Sequence, residues 1–410
     1  MNGTKLYQKL AIVPIVALGL AVAGCNKQAD NGTITPTTTA NTSTTTTTGK
    51  NTTLNYSKNS PLDTSNMFTQ TDLTQTVDTT NAKKITLEDG KDVTIDAAGT
   101  YVITGTAKNS TVIVNASADA EVHLVFDNVS ITNTNKPTVY AINAKNVYVT
   151  TTQNSTNNLK VTGEFTEDDG NEINEVIFAK TNITLNGLGT LNIDSSTNGV
   201  ASNSDLKITG GIYNVNTIKH GFKALNSIRV ADGTFNINAT KDGFHSENED
   251  DLTTGYVYIA GGNFTINSED DGIQGTSITE IDGGTFAINA VEGIEGTYVQ
   301  INDGTIKIYA TDDGINASEK ATNYDVQIEI NGGNLDITMA EGDTDALDAN
   351  GTLTINGGYI NITAQFAFDF DLTASLNGGT VIVNGTQVTS ITNSMMEGGG
   401  GPGGFGGPQH

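Results

Sequence analysis

Two columns of side chains in this sequence have the composition to hold a hard cation. Lined up by an internal repeat, the first reads Asn198, His220, Asp242, Asp271, Glu292, Asp313 and Asp345. The second, three residues further on, reads Lys223, His245, Gln274, Glu295, Asn316, Asp348 and Asp369. Asp270 and Asp312 add acids one position before the first column. Two carboxylates about 4 Å apart repel by about 1 kcal/mol in bulk water, and by several times that near a protein surface. A stack of them therefore needs protonation or a counter-ion. Ca2+ answers that need directly, because it takes about six to eight oxygen ligands from carboxylates, amides and carbonyls. The expected ligands are Asp242, Asp270, Asp271, Glu292, Glu295, Asp312, Asp313, Asp345, Asp348 and Asp369. A plainer reading competes: Asp-Gly is an ordinary turn dipeptide whose carboxylate caps its own turn, so a repeated turn repeats its Asp. Turn chemistry does not require Glu295, Asp348 and Asp369, and the second column favours calcium.

The elements that must position these columns repeat about every 22 residues. Anchored on a turn glycine, the repeats fall at Gly189, Gly211, Gly233, Gly262, Gly284, Gly304, Gly333, Gly358 and Gly379. Apolar pairs precede the anchor (Leu206/Ile208, Ile228/Val230, Val257/Ile259) and follow it (Phe235/Ile237, Phe264/Ile266, Phe286/Ile288). Period-two alternation on both sides of a glycine reads as strand, turn, strand. A third short strand follows a second turn at Gly243-Phe244, Gly272-Ile273, Gly293-Ile294 and Gly314-Ile315. Three short strands in about 22 residues make one coil of a parallel β-helix, expected to be right-handed. The corner glycines are expected to hold positive φ. Residues 82–180 share the strand character without the regular spacing and read as irregular first coils with a cap; residues 181–393 read as regular coils.

Two repeats are about seven residues too long, both after the same corner: His245 to Gly255, and Asn316 to Asp325. Loops three coils apart would stand as walls about 14 Å apart. The floor between them would carry Asp271, Gln274, Thr276, Glu292, Glu295 and Thr297, with Tyr256, Tyr298 and Tyr324 offering faces for sugar rings. Such a groove has the width of one glycan chain. Inserts at a corner are also tolerated as plain surface loops.

The ends carry a different message. Lys5, Lys9 and the apolar stretch Leu10 to Ala23 read as an export signal, too short for a span of about 20 residues. It closes on Val22-Ala23-Gly24-Cys25, which looks like a bacterial lipobox with cleavage after residue 24 and a lipid on Cys25, though an ordinary signal peptide with a chance cysteine gives the same run. The product would be a membrane-anchored lipoprotein at the bacterial cell surface, acting as a monomer. Residues 25–81 are rich in Thr, Asn and Ser and read as a disordered tether; residues 394–410 read as a Gly/Pro-rich disordered tail. A formal charge of −26 with one arginine, Arg229, argues against nucleic acid and against anionic lipid.

The run from Thr184, TLNGLGTLNIDSSTNGVASNSDLKITGG, resembles a family of bacterial carbohydrate-binding β-helix lipoproteins related in fold to pectate lyases. The DGI-type coils, the Gly-rich tail and the opening Gly99-Thr100-Tyr101-Val102-Ile103-Thr104-Gly105 carry the same resemblance, which covers nearly the whole body. It implies a cell-surface protein that binds cellulose or pectic glycan with bound calcium and without established catalysis; no individual ligand transfers residue by residue. The expected function is calcium-assisted, non-catalytic binding of a cellulose- or polygalacturonate-like polysaccharide. One alternative is a calcium-dependent polysaccharide lyase, whose base would come from Lys219, His220, Lys223, Lys241 or His245. Neighbouring carboxylates, however, hold a lysine protonated. Another is a structural or adhesive surface protein without sugar specificity. The chain has no Trp, which disfavours flat stacking on crystalline cellulose.

Overall fold

Nearly every strand described in this all-β chain pairs in parallel with a strand two or three places further along. Asp205–Ile208, Ser227–Val230 and Tyr256–Ile259 pair in turn, with Asp205 opposite Ser227 and Ser227 opposite Tyr256. Ile212–Thr217, Thr234–Ala239 and Asn263–Ser268 form a second ladder, and Phe222–Ala224, Phe244–Ser246 and Ile273–Ile281 a third. These observations come from a computed structural model that describes residues 61–165, 173–342 and 344–394, all within one compact unit. Three ladders advancing together make a solenoid-like β-helix, as the period-two repeats predict. Side-chain bonds give the step: Ser227 Oγ donates to Asp205, 22 residues earlier, and the step grows to 29 residues from Asp242 to the backbone N–H of Asp271, where the first insert lies.

In many strands burial alternates residue by residue, one set pointing inward. In Thr234–Ala239 burial alternates strictly, with Phe235 and Ile237 inside. Parallel register then stacks like on like: Tyr213, Phe235, Phe264 and Phe286 form a column with ring centroids 5.2, 4.7 and 4.4 Å apart. Each fully buried large side chain contributes about 1.5–3 kcal/mol. With no disulfide available to a chain of one cysteine, this core and the ladders hold the fold. Outside, asparagines do the equivalent: Asn302, Asn331, Asn356 and Asn377 pass an amide hydrogen bond along the stack at 2.8–2.9 Å.

The glycine columns turn out to have two causes. Eight of the nine anchor glycines take positive φ, as at Gly262 (φ 121); Gly189 does not, and in its coil Gly187 (φ 112) does. The glycines of the second corner do not; there a Cβ on Gly272 would lie 2.5 Å from the carbonyl oxygen of Gly293 on the next coil. Close approach of stacked backbones, and not backbone sign, fixes glycine beside the acidic columns.

Residues 82–165 continue the same ladders, beginning with Lys83–Thr86 on Gly99–Lys108. Their steps are uneven, from 25 residues between Glu121 and Asn146 to 36 between Asn146 and Asn182, and the register shifts between Thr104 and Gly105. At the other end Thr380–Val383 folds back on Thr386–Val388 in an antiparallel hairpin, through Asn384-Gly385, both at positive φ. That dipeptide is the favoured two-residue hairpin turn.

Of the stretch 25–81 expected as a disordered tether, the described part, from residue 61, packs on the coils. A short 3-10 turn at Thr64–Asn66 and one helical turn at Gln70–Leu73 lie on the side of the coils. Met67 and Phe68 pack against Ala231 and Tyr258. Asp72, 1% exposed, pairs with Lys207 at 2.8 Å and accepts from Thr184 at 2.8 Å. Gln75 accepts from the N–H of Gly187 and donates to the carbonyl of Thr209, both at 2.8 Å. A few apolar residues in a polar tract suffice because the coil wall supplies the other half of each contact. The expected signal peptide and lipidated Cys25, most of the expected tether and the residues after 394 lie outside the described residues.

Candidate functional site

Both columns stack as the repeat implies. Backbone bonds run from Gly221 N to Asp242 O, Gly243 N to Asp271 O, Gly272 N to Glu292 O and Gly293 N to Asp313 O, and Asp313 then pairs with Asp345. The second column is in strict register: Lys223, His245, Gln274, Glu295, Asn316, Asp348 and Asp369 each oppose the next. The first column ends where Asp345 meets Phe366.

The ladder divides by how its charge is answered. At its N-terminal end Asp242, 2% exposed, has His245 Nδ1 at 2.5 Å and His220 Nδ1 at 3.3 Å. Burial alone would raise its pKa, but those two imidazoles pull it well below the usual carboxylate range. Asp270 pairs with Lys241 at 2.5 Å on the rim. In the middle, oxygens of Asp271, Glu292 and Glu295 lie within 4.8 Å of one another. One cation, Lys320 from the second insert, reaches Glu295 at 2.8 Å. Gln274 donates to both Asp271 and Glu295, and Asn316 Nδ2 donates to Glu292 and Glu295 at 3.0 and 3.3 Å. Burial first, then the neighbouring carboxylates, push Asp271 and Glu292 upward.

Towards the C-terminal end, no lysine, arginine or histidine pairs with Asp313 or Asp348 among the described residues. Burial and adjacent carboxylates raise Asp313 to about 8 and Asp348 to about 6. Asp348 Oδ1 and Asn316 Oδ1, on paired residues of adjacent coils, are buried without a hydrogen-bond partner. Asn316, 8% exposed, is a candidate oxygen ligand that a search for acids alone passes over. Asp345 lies buried beside this stretch and Asp312 on its exposed rim, whereas Asp369 Oδ1 is taken by Asn393 Nδ2 at 2.6 Å.

The open groove between two walls is not what the inserts build. Tyr324 of the second insert donates to the carbonyl of Thr253 in the first at 3.2 Å, so the loops meet. The second insert also folds down on the floor: Lys320 N and Ala321 N both donate to Thr297 Oγ1. Thr297 and Thr276 are consequently buried, at 0% and 7% exposure, and offer nothing to a ligand. Tyr256 is covered as well, its hydroxyl 3.8 Å from Met67 Sδ and its ring under Arg229. Tyr298, half-buried, donates to Glu329 at 2.6 Å.

Hollows lie on this side among the described residues. One of about 330 Å³ is lined by His220, His245, Asp271, Gln274, Glu292, Glu295 and Lys320 among others. Another, about 710 Å³, lies between the earlier coils and the first insert; Asn174, Glu175, Phe178, Asn198, Lys219, Lys223, Leu225 and Glu249 line it. Amides, lysines and a small apolar floor suit a sugar chain better than the covered threonines do. Lys219 and Lys223 were expected beside the ladder; that Phe178 and Leu225 join them in lining this hollow is not legible in the sequence.

A family model described as carbohydrate-binding domain-containing protein matches residues 89–296 and 289–395. A protein of Acetivibrio thermocellus with the same description is 32% identical over 124 residues, 30% of this chain and 43% of that protein. The match thus spans less than half of that relative's length. Among solved structures, a polysaccharide lyase-like protein from C. thermocellum, as a gadolinium derivative, superposes with a TM-score of 0.47 and 25% identity. It covers 64% of this chain and 98% of that one, a likeness too loose to carry an argument.

Proposed function

The chain belongs to the family of carbohydrate-binding domain-containing proteins, and from that premise we propose a calcium-assisted, non-catalytic binder of extracellular polysaccharide. The observation that carries the calcium reading is the cluster of Asp271, Glu292 and Glu295, three carboxylates answered by the single ammonium of Lys320. Its donors are all oxygen, the set that suits Ca2+. Asn316 Oδ1, aimed into the ladder without a partner, and Asp313 and Asp348 beyond it extend the donor set. Bound calcium would balance this charge and present open coordination positions to glycan hydroxyls or carboxylates. Asp242 and Asp270, already paired with His220, His245 and Lys241, drop out of the expected ligand set.

Binding is favoured over elimination by the state of two nearby lysines, although burial lowers the pKa of His220 and leaves it able to take a proton. Lys241 is held protonated by its hydrogen bond to Asp270, and Lys320 by Glu295 in spite of burial. A lyase needs a base that can take a proton. The ligand we assign is a cellulose- or polygalacturonate-like chain, lying along the hollows flanking the ladder. The coils are taken to run right-handed, about 22 residues each, the sense of nearly all parallel crossovers. Export, lipidation at Cys25 and display on the cell surface complete the reading. The test is retention of the purified chain on cellulose and on immobilised polygalacturonate, with calcium and with chelator. Retention that chelator abolishes is the expected result; retention indifferent to chelator removes calcium from the reading, and no retention on either matrix removes these glycans.

A further inference from the structure

We propose that His220, Asp242 and His245 form a site for Zn2+ or an ion of its class, separate from the all-oxygen ladder next to it. One ligand atom from each of the three lies within 4.8 Å of the other two. The coil register creates this convergence: Asp242 follows His220 on the next coil of the first column, and His245 stands three residues after Asp242 on the third strand. Asp242 is already aimed. Its Oδ1 accepts the backbone N–H of Asp271 at 3.2 Å, which turns Oδ2 toward both imidazoles. His220 Nδ1 stands 3.3 Å from that Oδ2, off the line of a hydrogen bond and with no other hydrogen-bond partner. Donor atoms around a tetrahedral Zn2+ at about 2.0–2.1 Å stand about 3.3 Å apart. His245 Nδ1, at 2.5 Å from Oδ2, would need to back off by less than an ångström.

His245 supplies the second argument. Its Nε2 lies 3.2 Å from Glu247 Oε2 while its Nδ1 faces Asp242, so both ring nitrogens face carboxylates. A metal ligand whose other ring nitrogen donates to a carboxylate is the usual supporting arrangement for zinc-bound histidine, because it fixes the tautomer and orients the ring. Glu247 belongs to the first insert, which gives that loop a part in the site. The two nitrogens distinguish this trio chemically: imidazole suits Zn2+, whereas carboxylate and carbonyl suit Ca2+. Three protein ligands leave one position of a tetrahedral ion open, and His220 and His245 both line the smaller hollow, so that position faces solvent or a bound sugar oxygen.

Titration of the metal-free purified chain with Co2+ tests this. The expected result is one ion per chain with the visible absorption of four-coordinate Co2+, displaced by Zn2+ and untouched by excess Ca2+. His220→Ala and His245→Ala abolish the signal, and Glu247→Gln, which keeps all three ligands, weakens uptake about 10- to 100-fold. No uptake by the parent chain overturns the proposal without reference to any variant. So does uptake that survives replacement of both histidines, or a six-coordinate spectrum erased by Ca2+, which belongs to the oxygen ladder.

Discussion

Carboxylates half-buried beside others of their kind keep their protons to a higher pH than in water, and Asp313 and Asp348 do so at about 8 and about 6. The folded chain then holds protons that the unfolded chain, with ordinary carboxylates, releases. The stabilisation is complete below the ordinary carboxylate pKa and is lost as pH rises through about 6 for Asp348 and about 8 for Asp313. In chelator, the melting temperature should fall between pH 5 and pH 8.5. Calcium should restore it most at the alkaline end, where the carboxylates are free to bind. The Asp313→Asn/Asp348→Asn double variant should flatten the chelator profile and shrink the calcium shift; a melting profile identical to the parent's would remove these two residues from the ladder's energetics. The columns themselves were legible because strict register turns a repeat into a stack, so residues about 22 apart in sequence become neighbours. What Tyr256 meets was not legible, since its cover, Met67, is 189 residues away in sequence and belongs to no repeat.

At the scale of elements, two packing relations carry predictions. At Gly272 the second corner has room for no side chain: a Cβ there would sit 2.5 Å from both Gly293 O and Ile288 Cγ2. Gly272→Ala should therefore destabilise the chain by about 1–3 kcal/mol, the range for overpacking, and a denaturant midpoint measures it. Asp72 anchors the N-terminal segment by its pairing with Lys207, which is itself 16% exposed. Asp72→Ala leaves that ammonium and the Thr184 hydroxyl facing an apolar methyl, and should cost about 3–5 kcal/mol in the unfolding free energy. If the segment were a loose tether the variant would melt with the parent. Period-two alternation and turn glycines made the coils readable, because both are local. The meeting of the two inserts was not, since nothing in either loop's sequence says that Tyr324 reaches Thr253. The Asn384-Gly385 hairpin was readable in principle, since it follows the last anchor glycine, Gly379, and ends the series.

For the molecule as a whole, charge sets what can approach. At a formal −26, this chain and a polyuronate repel one another until cations intervene. Two mechanisms could relieve that repulsion, and they differ in which cation they need. Diffuse screening works with any salt: raising ionic strength from about 0.01 to 1 M shortens the Debye length from about 30 to about 3 Å. Bridging works only with an ion that accepts oxygens from protein and glycan together. If the ladder binds polygalacturonate through calcium, sodium chloride in chelator should fail to bring the chain back to the matrix. Millimolar calcium should succeed at low salt, where repulsion is strongest. A neutral glycan such as cellulose should show little response to salt in either case, because it has no charge to screen. Retention recovered by sodium chloride alone would make the acidic ladder a source of repulsion and nothing more, and would move the sugar contacts wholly to the amide- and lysine-lined hollow around Lys219 and Lys223.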